Sequence, residues 1–450
     1  MIELHTKGGL SRREFLRLTA VGAGALAIAA CAPVAQQATG GESGGASAPT
    51  TLSFLTQGGD EAAFARYNPL IDEFQSANTD IKVEPIFEPG GAIEVQQKLL
   101  TLIAAGEAPD TYWAHSYTNA GQAKRDIQLD LNDLLAADNT IKAEDFLTAA
   151  WLDFQVDGKQ IGFPRETTST VIIYNKALFD KHSLPMPTED WSWDDFLNAA
   201  TAITEGEGAD KIYGTADWNL NRNTWIRMWQ KGGDVLNTER TQYTMNEEQN
   251  VAVVQTIADW HHELGIHIPG QETGGFSTGD LFTTGRIGMF PQFSVFSNIA
   301  AAEFDWDVAH MPRDPDETRT TRVASAGHSA YSGTQKQDAA WLWLKKLASE
   351  DAFWLWVDSG LRLPSLKKVA TDPKLQDPTK PPAHNQIIID AFDYGRPEPV
   401  AGDWIGVHRE IQPALDSIYG IEKADPQTTL DGIADRVNEL IAALPGAEGR

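Results

Sequence analysis

The sequence contains a single cysteine, Cys31, among its 450 residues. A lone cysteine forms no disulfide within the chain, so the apolar core must provide the stability of the fold. Long hydrophobic runs are also lacking, because no segment after residue 31 offers 18 consecutive apolar residues. A membrane-spanning helix needs about 20 such residues, so the body of the protein is not predicted to cross a membrane.

Positive charge is scarce, with 36 basic residues against 63 acidic ones and a formal net charge of −27. Residues 1–30 hold four of the basic and two of the acidic residues, so their removal leaves a net charge of −29. A surface this acidic repels nucleic acids and anionic lipid headgroups. It also disfavours a strongly anionic ligand.

The N-terminal segment has the pattern of an export signal. Ser-Arg-Arg-Glu-Phe-Leu at residues 11–16 has the form of a twin-arginine signal. The apolar stretch at 18–30 has about 13 residues and is too short to span a bilayer. Ile28, Ala29 and Ala30 resemble a lipobox before Cys31, which predicts a signal peptide over 1–30 and lipidation of Cys31. The alternative is a buried structural cysteine, but Cys31 precedes a segment with no core to join.

Residues 31–50 lack aromatics and are rich in Gly, Ala and Ser. Such a segment buries too little surface to offset the entropy of ordering, so it is predicted to be a flexible linker. From about residue 51 the composition is globular. Some 400 folded residues exceed a comfortable single core, which favours two lobes.

Strand and helix patterns alternate through the body. Residues 51–56, 81–87 and 109–113 are predicted strands, with helices between them, the second over 92–105. This order predicts a doubly wound α/β lobe, in which ligands bind beyond the carboxyl ends of the strands. Gln57 and Asp60 follow the first strand, and Trp113, His115 and Tyr117 follow the third.

A second series of strands and helices begins near residue 162. It includes β-rich stretches at 162–166 and 170–175, a helix over 193–204 capped by Ser192 or Asp190, a strand over 286–290 and a helix near 411–419. Residues 323–327 are predicted to return to the first lobe, and residues beyond 363 to the second. No internal repeat is present.

Four stretches together resemble the extracellular solute-binding proteins of bacterial ABC importers, in the carbohydrate-binding group that includes maltose-binding protein. They are residues 104–110, 158–164, 173–179 together with 191–196, and 232–234. The resemblance covers residues 51–443. It implies a type II periplasmic-binding-protein-like α/β fold with two doubly wound lobes joined by a hinge. The boundaries are 51–165 plus 324–362 for lobe 1, and 166–323 plus 363–450 for lobe 2.

The resemblance also implies site residues. Trp113 and His115 match a loop that contacts sugar in that group, Glu166 lies at the first crossing, and Trp404 resembles a stacking tryptophan. Ser116 and Tyr117 stand where the group has a carboxylate and an arginine, which argues against maltodextrin as the ligand.

Further cleft candidates follow from their positions at strand ends and crossings, each with packing or bracing as its alternative. They are one of Trp218 and Trp225, which flank a polar loop at residues 219–223, together with Phe293, His328 and Arg362. The histidines 261, 262 and 267 are a poor metal site, because adjacent helical residues point about 100° apart. No metal, cofactor or catalytic residue is therefore expected.

The predicted function is that of a monomeric, lipid-anchored receptor on the outer side of the cell membrane, on the cell surface or in a periplasm. It would capture a carbohydrate between its lobes and deliver it to an ABC permease. Two alternatives remain open. One is the same fold binding a polyol, a glycerol-phosphate-like compound or an oligopeptide, and the other is a secreted glycoside hydrolase.

Overall fold

The computed structural model describes residues 48–59, 61–293, 297–299, 301–358, 363–375, 379 and 381–443. The strands are β1 Thr50–Gln57, β2 Ile81–Glu88, β3 Thr111–His115, β4 Gln155–Val156, β5 Lys159–Gln160, β6 Phe163–Asn175, β7 Tyr213–Thr215, β8 Ile287–Phe293, β9 Trp306–Ala309, β10 Thr321–Ala330 and β11 Gly395–Arg396.

Helices cover much of the remaining chain. They are α1 Glu61–Ala77, α2 Ala92–Ala105, α3 Ser116–Ala123, α4 Asn132–Ala137, α5 Thr148–Leu152, α6 Lys176–Lys181, α7 Trp193–Ile203, α8 Asn221–Gln230, α9 Glu248–His262, α10 Thr278–Thr283, α11 Gln337–Leu347, α12 Glu350–Asp358, α13 Lys367–Ala370, α14 Gln386–Asp390, α15 Trp404–Tyr419 and α16 Pro426–Ala442. The fold is therefore mixed α/β, as the sequence predicts.

The principal sheet has the order β2-β1-β3-β10-β6-β8-β7, with β11 paired to β10 and β9 paired to β6. β1 pairs in parallel with β2 and β3, whereas β10 is antiparallel to both β3 and β6. The carboxyl ends of β1 and β3 consequently lie at one edge of the sheet, where ligands of α/β proteins bind.

Local signals explain the boundaries that the sequence predicts well. Helix α2 begins at Ala92 and ends before Gly106, whose φ of 76° is left-handed and suits glycine. The Ser192 side chain accepts a hydrogen bond from the backbone N–H of Asp195 and caps α7. Of the two predicted caps, Ser192 is the one that the structure uses.

Three boundaries differ from the sequence prediction. The stretches expected at 162–166 and 170–175 are joined, because β6 runs from Phe163 to Asn175 as a single 13-residue strand. α15 begins at Trp404 rather than near Ile411, because the Asp403 side chain caps it. α8 begins at Asn221, inside the expected polar loop of residues 219–223, so Trp225 lies on a helix.

The three segments predicted as crossings lie side by side. β6 pairs with β10 from Ser169↔Val323 to Glu166↔Ala326, with a register shift at Gly327. Glu166 also forms an isolated antiparallel bridge with Pro364.

Apolar packing is divided between two large buried clusters. One draws on residues 172–311 and 401–441, and the other on residues 52–83, 131–163 and 330–369. The exact lobe boundaries stay a prediction. Within the part of the chain that the structure describes, no helix has both the length and the hydropathy needed to cross a bilayer.

We expect Gly327→Ala to destabilise the fold by about 2 kcal/mol or more, since overpacking of a filled interior is costly. A Cβ at this position would lie 2.0 Å from the carbonyl oxygen of Phe163 and 2.8 Å from Pro164 Cα. Urea unfolding monitored by circular dichroism measures the change.

Gly432→Ala in α16 is the matched control, because its Cβ meets no heavy atom within 4 Å. We expect it to stabilise by about 0.5–1 kcal/mol. An unchanged midpoint for Gly327→Ala would contradict the packing described here.

Candidate functional site

A cavity of about 510 Å³ lies where four helices approach one another. Its wall comprises residues 91–94 at the start of α2, Tyr117 on α3, residues 221–222 at the start of α8, Glu398, and α15 residues between Trp404 and Pro413. A neighbouring cavity of about 290 Å³ shares Tyr117, Trp404 and Arg409 with it. Volumes of this size suit a small ligand.

Local hydrogen bonds position the helix starts that line the cavity. The Gln57 amide donates to the carbonyl of Gly90 at 2.8 Å, and the Gly91 N–H donates to the Glu94 carboxylate at 2.7 Å. These contacts hold the first turn of α2 beside the end of β1. Gly402, before α15, has a φ of 55°, and a Cβ there would lie 2.2 Å from the carbonyl oxygen of Leu440. The turn into α15 therefore requires glycine.

Glu398 is the buried electrostatic centre of the site. Its carboxylate accepts hydrogen bonds from an Arg322 guanidinium N–H, from Trp404 Nε1 at 2.9 Å and from His408 Nε2 at 3.1 Å. Only 3% of the Glu398 side chain and 1% of the Arg322 side chain are exposed. Burial acts to raise the pKa of Glu398, but the charge of Arg322 and the bonds from His408 and Trp404 outweigh it and lower the pKa. The carboxylate is therefore ionised at neutral pH.

The neighbouring amide assigns the tautomer of His408. Because Nε2 faces a carboxylate, it carries the hydrogen and donates to Glu398. Nδ1 then accepts from Asn221 Nδ2 at 2.9 Å. Asn221 N–H also donates to the Gln412 side chain at 3.0 Å. These bonds join the start of α8 to α15.

Tyr117 of α3 lines the cavity and packs against His115, the last residue of β3. The His115 and Tyr117 rings lie 3.6 Å apart between centroids, at 33°. Burial and the charges of Arg322 and Arg222 outweigh the opposing effect of Glu398 and lower the pKa of His115 to about 3. His115 is therefore neutral at physiological pH.

Trp404 forms the opposite aromatic wall. Its ring packs 5.6 Å from that of Trp225, which is fully buried behind it on α8. Trp404 is itself only 2% exposed, although it lines both cavities. Tyr117 packs against the same buried cluster that contains Trp404 and Trp225. The two aromatic walls are therefore close together.

Two arginines of the larger cavity have no partner. Neither Arg222 nor Arg409 makes an ion pair or hydrogen bond with any described residue, and the buried Nε of Arg222 is unsatisfied. Arg322, in contrast, is paired with Glu398 and lies 3.7 Å from the Phe293 ring centroid, as a cation–π contact requires. Unpaired guanidinium donors in a cavity are available to a ligand.

Trp113 and Glu166 lie in a second, adjoining cluster around Arg165. The Arg165 guanidinium donates through Nε and Nη2 to the two Glu166 oxygens, each at 2.5 Å. It lies 6.0 Å from the Trp113 ring centroid. Trp113 is 5% exposed and its indole N–H has no partner among the described residues.

Two predicted site residues lie in the core instead of on the cavity wall. Trp218 is fully buried against Trp193 and Trp260, and its Nε1 donates to Thr215 Oγ1 at 3.0 Å. His328 is 1% exposed, and its Nε2 lies 3.3 Å from the Tyr67 hydroxyl.

Three predicted residues, Asp60, Arg362 and the lipidation residue Cys31, lie outside the described residues. Of the predicted residues, Tyr117 and Trp404 line the cavity, and the rings of His115 and Trp225 pack against them. Gln57 bonds to Gly90 before the start of α2, and Phe293 contacts Arg322, but neither lines the cavity. Among the described residues, no three His, Cys, Asp or Glu side chains are grouped to hold a metal ion. His261 and His267 instead stack at 3.7 Å between ring centroids.

Sequence reasoning missed Glu398, Arg322, Arg222, His408 and Arg409. Two signals were present in the sequence. Arg322 is a charged residue at the start of an otherwise small and apolar strand, and Glu398 stands between Pro397 and Pro399. Neither signal reveals that the two residues pair across 76 positions of the chain.

Comparisons with known proteins agree on one family. The profile described as bacterial extracellular solute-binding protein matches residues 58–352. A lipoprotein from Streptomyces antibioticus, described as uncharacterized, is 28% identical over 64% of this chain, and the matched region spans 62% of that protein's own length.

Two solved structures share the fold. The chain is similar to an ABC substrate-binding protein from Listeria monocytogenes in complex with cycloalternan, with a TM-score of 0.77, 24% identity and coverage of 88% of this chain and 100% of that one. It is also similar to UgpB from Mycobacterium tuberculosis in complex with glycerophosphocholine. That TM-score is 0.71, with 19% identity and coverage of 88% and 99%.

We expect Glu398→Gln to cost about 3 kcal/mol or more at pH 7, because it leaves the Arg322 charge buried without a counter-charge. The lowered pKa of Glu398 stabilises the fold above the ordinary glutamate pKa of about 4.3, and this contribution is lost as pH falls towards the folded-state value. The difference between wild type and variant should therefore narrow at pH 3.

Urea midpoints at pH 7 and pH 3 measure this prediction. Glu439→Gln is the control, since its side chain is 69% exposed and pairs only at the surface of α16. We expect it to change the stability by less than about 0.5 kcal/mol. Equal effects of the two substitutions at pH 7 would contradict a central role for the Glu398 pair.

Proposed function

The chain belongs to the bacterial extracellular solute-binding protein family, and from this premise we propose that it is the carbohydrate-binding component of an ABC importer. In this proposal it captures a sugar or oligosaccharide in the cavity between Tyr117 and Trp404 and delivers it to a membrane permease. The family consists of solute-binding proteins, not of enzymes.

The observation that carries the proposal is the composition of the cavity wall. Aromatic side chains at Tyr117 and Trp404 suit the apolar CH faces of a sugar ring. Arg222, His408 and Gln412 bring polar groups to the same wall, as hydroxyl recognition requires. The Listeria structure with cycloalternan supports a saccharide in this fold.

Hydrolysis is disfavoured by the state of Glu398. A general acid needs a raised pKa, whereas the pKa of Glu398 is lowered and its oxygens accept from three donors. Glu94, the other glutamate of the wall, accepts the N–H of Gly91 at the start of α2. Both carboxylates are engaged in holding the site together.

Ligand capture is proposed to close two lobes over the cavity, with lobe 1 at 51–165 plus 324–362 and lobe 2 at 166–323 plus 363–450. The two buried clusters and the adjacent segments at residues 166, 326 and 364 support this division. Tyr117 belongs to the first lobe, and Trp404 to the second. A ligand between them would bridge the lobes and favour closure.

The second candidate ligand is a glycerol-phosphate-like compound. The complex of UgpB with glycerophosphocholine shows that a protein of the same fold binds one. The two unpaired arginines of the cavity favour this alternative over an oligopeptide or a neutral polyol.

Export and anchoring extend the proposal to residues that the structure does not describe. We propose that residues 1–30 are a twin-arginine signal and that Cys31 is lipidated and holds a monomeric receptor on the outer face of the membrane. The description of the Streptomyces antibioticus relative as a lipoprotein supports this part.

We expect one class of carbohydrate to raise the melting temperature of the purified protein by several degrees at saturating concentration, since a ligand of the native state alone stabilises it. A thermal-shift panel of mono- and oligosaccharides, polyols, phosphorylated polyols and short peptides measures this. Tyr117→Ala should weaken the affinity about tenfold or more, through loss of ring contact.

Phe276→Ala is the control, because this aromatic side chain is 63% exposed and lies outside the cavity wall. It should retain the wild-type affinity. A shift with phosphorylated polyols or peptides and with no carbohydrate would overturn the ligand, and an unchanged affinity of Tyr117→Ala would overturn the site.

We expect Cys31→Ser to abolish incorporation of labelled palmitate and to release the full-length protein from the membrane fraction of a bacterial host, because the thiol is the proposed site of acylation. Ser43→Ala, in the same linker, should leave both unchanged. Membrane retention of Cys31→Ser without label would show that another segment anchors the chain.

A further inference from the structure

In the cavity of about 510 Å³ the carboxylates have hydrogen-bond partners within the protein, whereas two arginines have none. Every carboxylate on the two cavity walls has a donor within the protein. Glu94 accepts the Gly91 N–H, Asp403 accepts the Gly406 N–H at 3.2 Å, and Glu398 accepts three bonds. Arg222 and Arg409 have no such partner among the described residues. The guanidinium groups of Arg222 and Arg409 are therefore charged donors that the protein itself leaves to a ligand.

Arg222 also lies near a second guanidinium. Burial and the charge of Arg222 act to lower the pKa of Arg322, against the opposing charge of Glu398, and the result is a pKa of about 10. Arg322 is thus still charged at neutral pH. Arg322 is paired with Glu398, whereas Arg222 forms no ion pair with any described carboxylate, so its charge lacks a direct counter-charge within the site.

An uncompensated charge in a partly desolvated cavity is costly until it meets an opposite charge. A neutral hydroxyl accepts a hydrogen bond but leaves the charge in place. A carboxylate or phosphate ester neutralises the charge and accepts two parallel bonds from one guanidinium, which is the strongest arrangement open to arginine.

From these contacts we infer that the ligand is a hydroxylated molecule with one anionic group, which Arg222 binds and Arg409 supports at the cavity mouth. The inference rests on the proposed function, because it uses the same cavity and assigns the class of ligand. It reverses the expectation from net charge, since the negative surface is screened beyond about 8–10 Å at physiological salt, whereas Arg222 would touch the ligand.

The aromatic walls fit the same ligand. Tyr117 and Trp404 lie beside the arginines on the cavity wall, so one sugar ring can stack while its acidic substituent reaches Arg222. Uronic-acid saccharides and phosphodiesters of polyols share this chemistry, and only the former offer a ring for stacking.

The test compares three probes by isothermal titration calorimetry on the purified protein. They are a galacturonic-acid disaccharide, the neutral galactose disaccharide with the same linkage, and glycerophosphocholine. We expect an anionic probe to bind at least about tenfold more tightly than the neutral sugar. If the galacturonic-acid disaccharide binds more tightly than glycerophosphocholine, the anionic group is a carboxylate. If glycerophosphocholine binds more tightly, the anionic group is a phosphodiester.

Arg222→Gln retains hydrogen-bond donors but removes the charge. It should weaken binding of the anionic probe roughly tenfold to a hundredfold and weaken binding of the neutral sugar by a clearly smaller factor, because the amide still donates to a hydroxyl group. Arg436→Gln is the matched control, because it removes the same charge from the surface of α16 and should change neither affinity. Circular dichroism melting establishes that both variants are folded.

Two results overturn the inference in distinguishable ways. If the neutral disaccharide binds as tightly as the anionic probes and Arg222→Gln weakens all three equally, Arg222 serves hydroxyl groups. The anionic class is then wrong, while the carbohydrate receptor stands. If no probe binds here and no carbohydrate shifts the melting temperature in the wider panel, the proposed function fails together with this inference.

Discussion

The buried ion pair between Arg322 and Glu398 is the interaction on which the architecture of the site depends. Arg322 lies on β10, in the middle of the principal sheet, and Glu398 lies in the segment that leads to α15. Through Trp404 and His408 the pair fixes the start of α15, and through Asn221 it fixes the start of α8. Removal of two charges from water is expensive, so such a pair depends on further hydrogen bonds to its members. Here the indole and imidazole N–H groups bond to the carboxylate, whereas the buried Nε of Arg322 has no partner among the described residues.

A second buried cluster, on the neighbouring strand, is also centred on an arginine–glutamate pair. Arg165 on β6 pairs with Glu166 and donates to the Tyr67 hydroxyl of α1, which in turn contacts His328 on β10. Burial lowers the pKa of His328 well below its ordinary value, and the Arg165 charge acts in the same direction. The imidazole is therefore a neutral member of the network. The two adjacent strands β6 and β10 thus each carry one buried arginine towards a different group of helices.

Much of the fold could be predicted from the sequence, because its signals are local. The alternation of apolar residues locates β1, and glycine at 106 ends α2. The site was predicted less well. Tyr117 and Trp404 line the cavity; Tyr117 was a candidate because it follows the third strand, and Trp404 because of the resemblance. Trp218 was a candidate for the cleft but lies in the core. The sequence contains many tryptophans and does not show which of them packs against Trp193 and Trp260. Glu398 and Arg222 were missed because their importance arises from contacts between distant segments.

The continuity of β6 has a mechanical consequence. Its first part pairs with β10 and its second part with β8 and β9, and the two parts meet between Ser169 and Thr170, which are successive residues. At this junction β6 itself, without an intervening loop, joins the groups of helices attached to these strands. Rotation of one group against the other must therefore bend or twist a hydrogen-bonded ladder, so the permitted motion is elastic and follows few directions. Because the conformational entropy of this strand is already lost in the folded state, the proposed closure of the lobes would lose little further entropy at this joint.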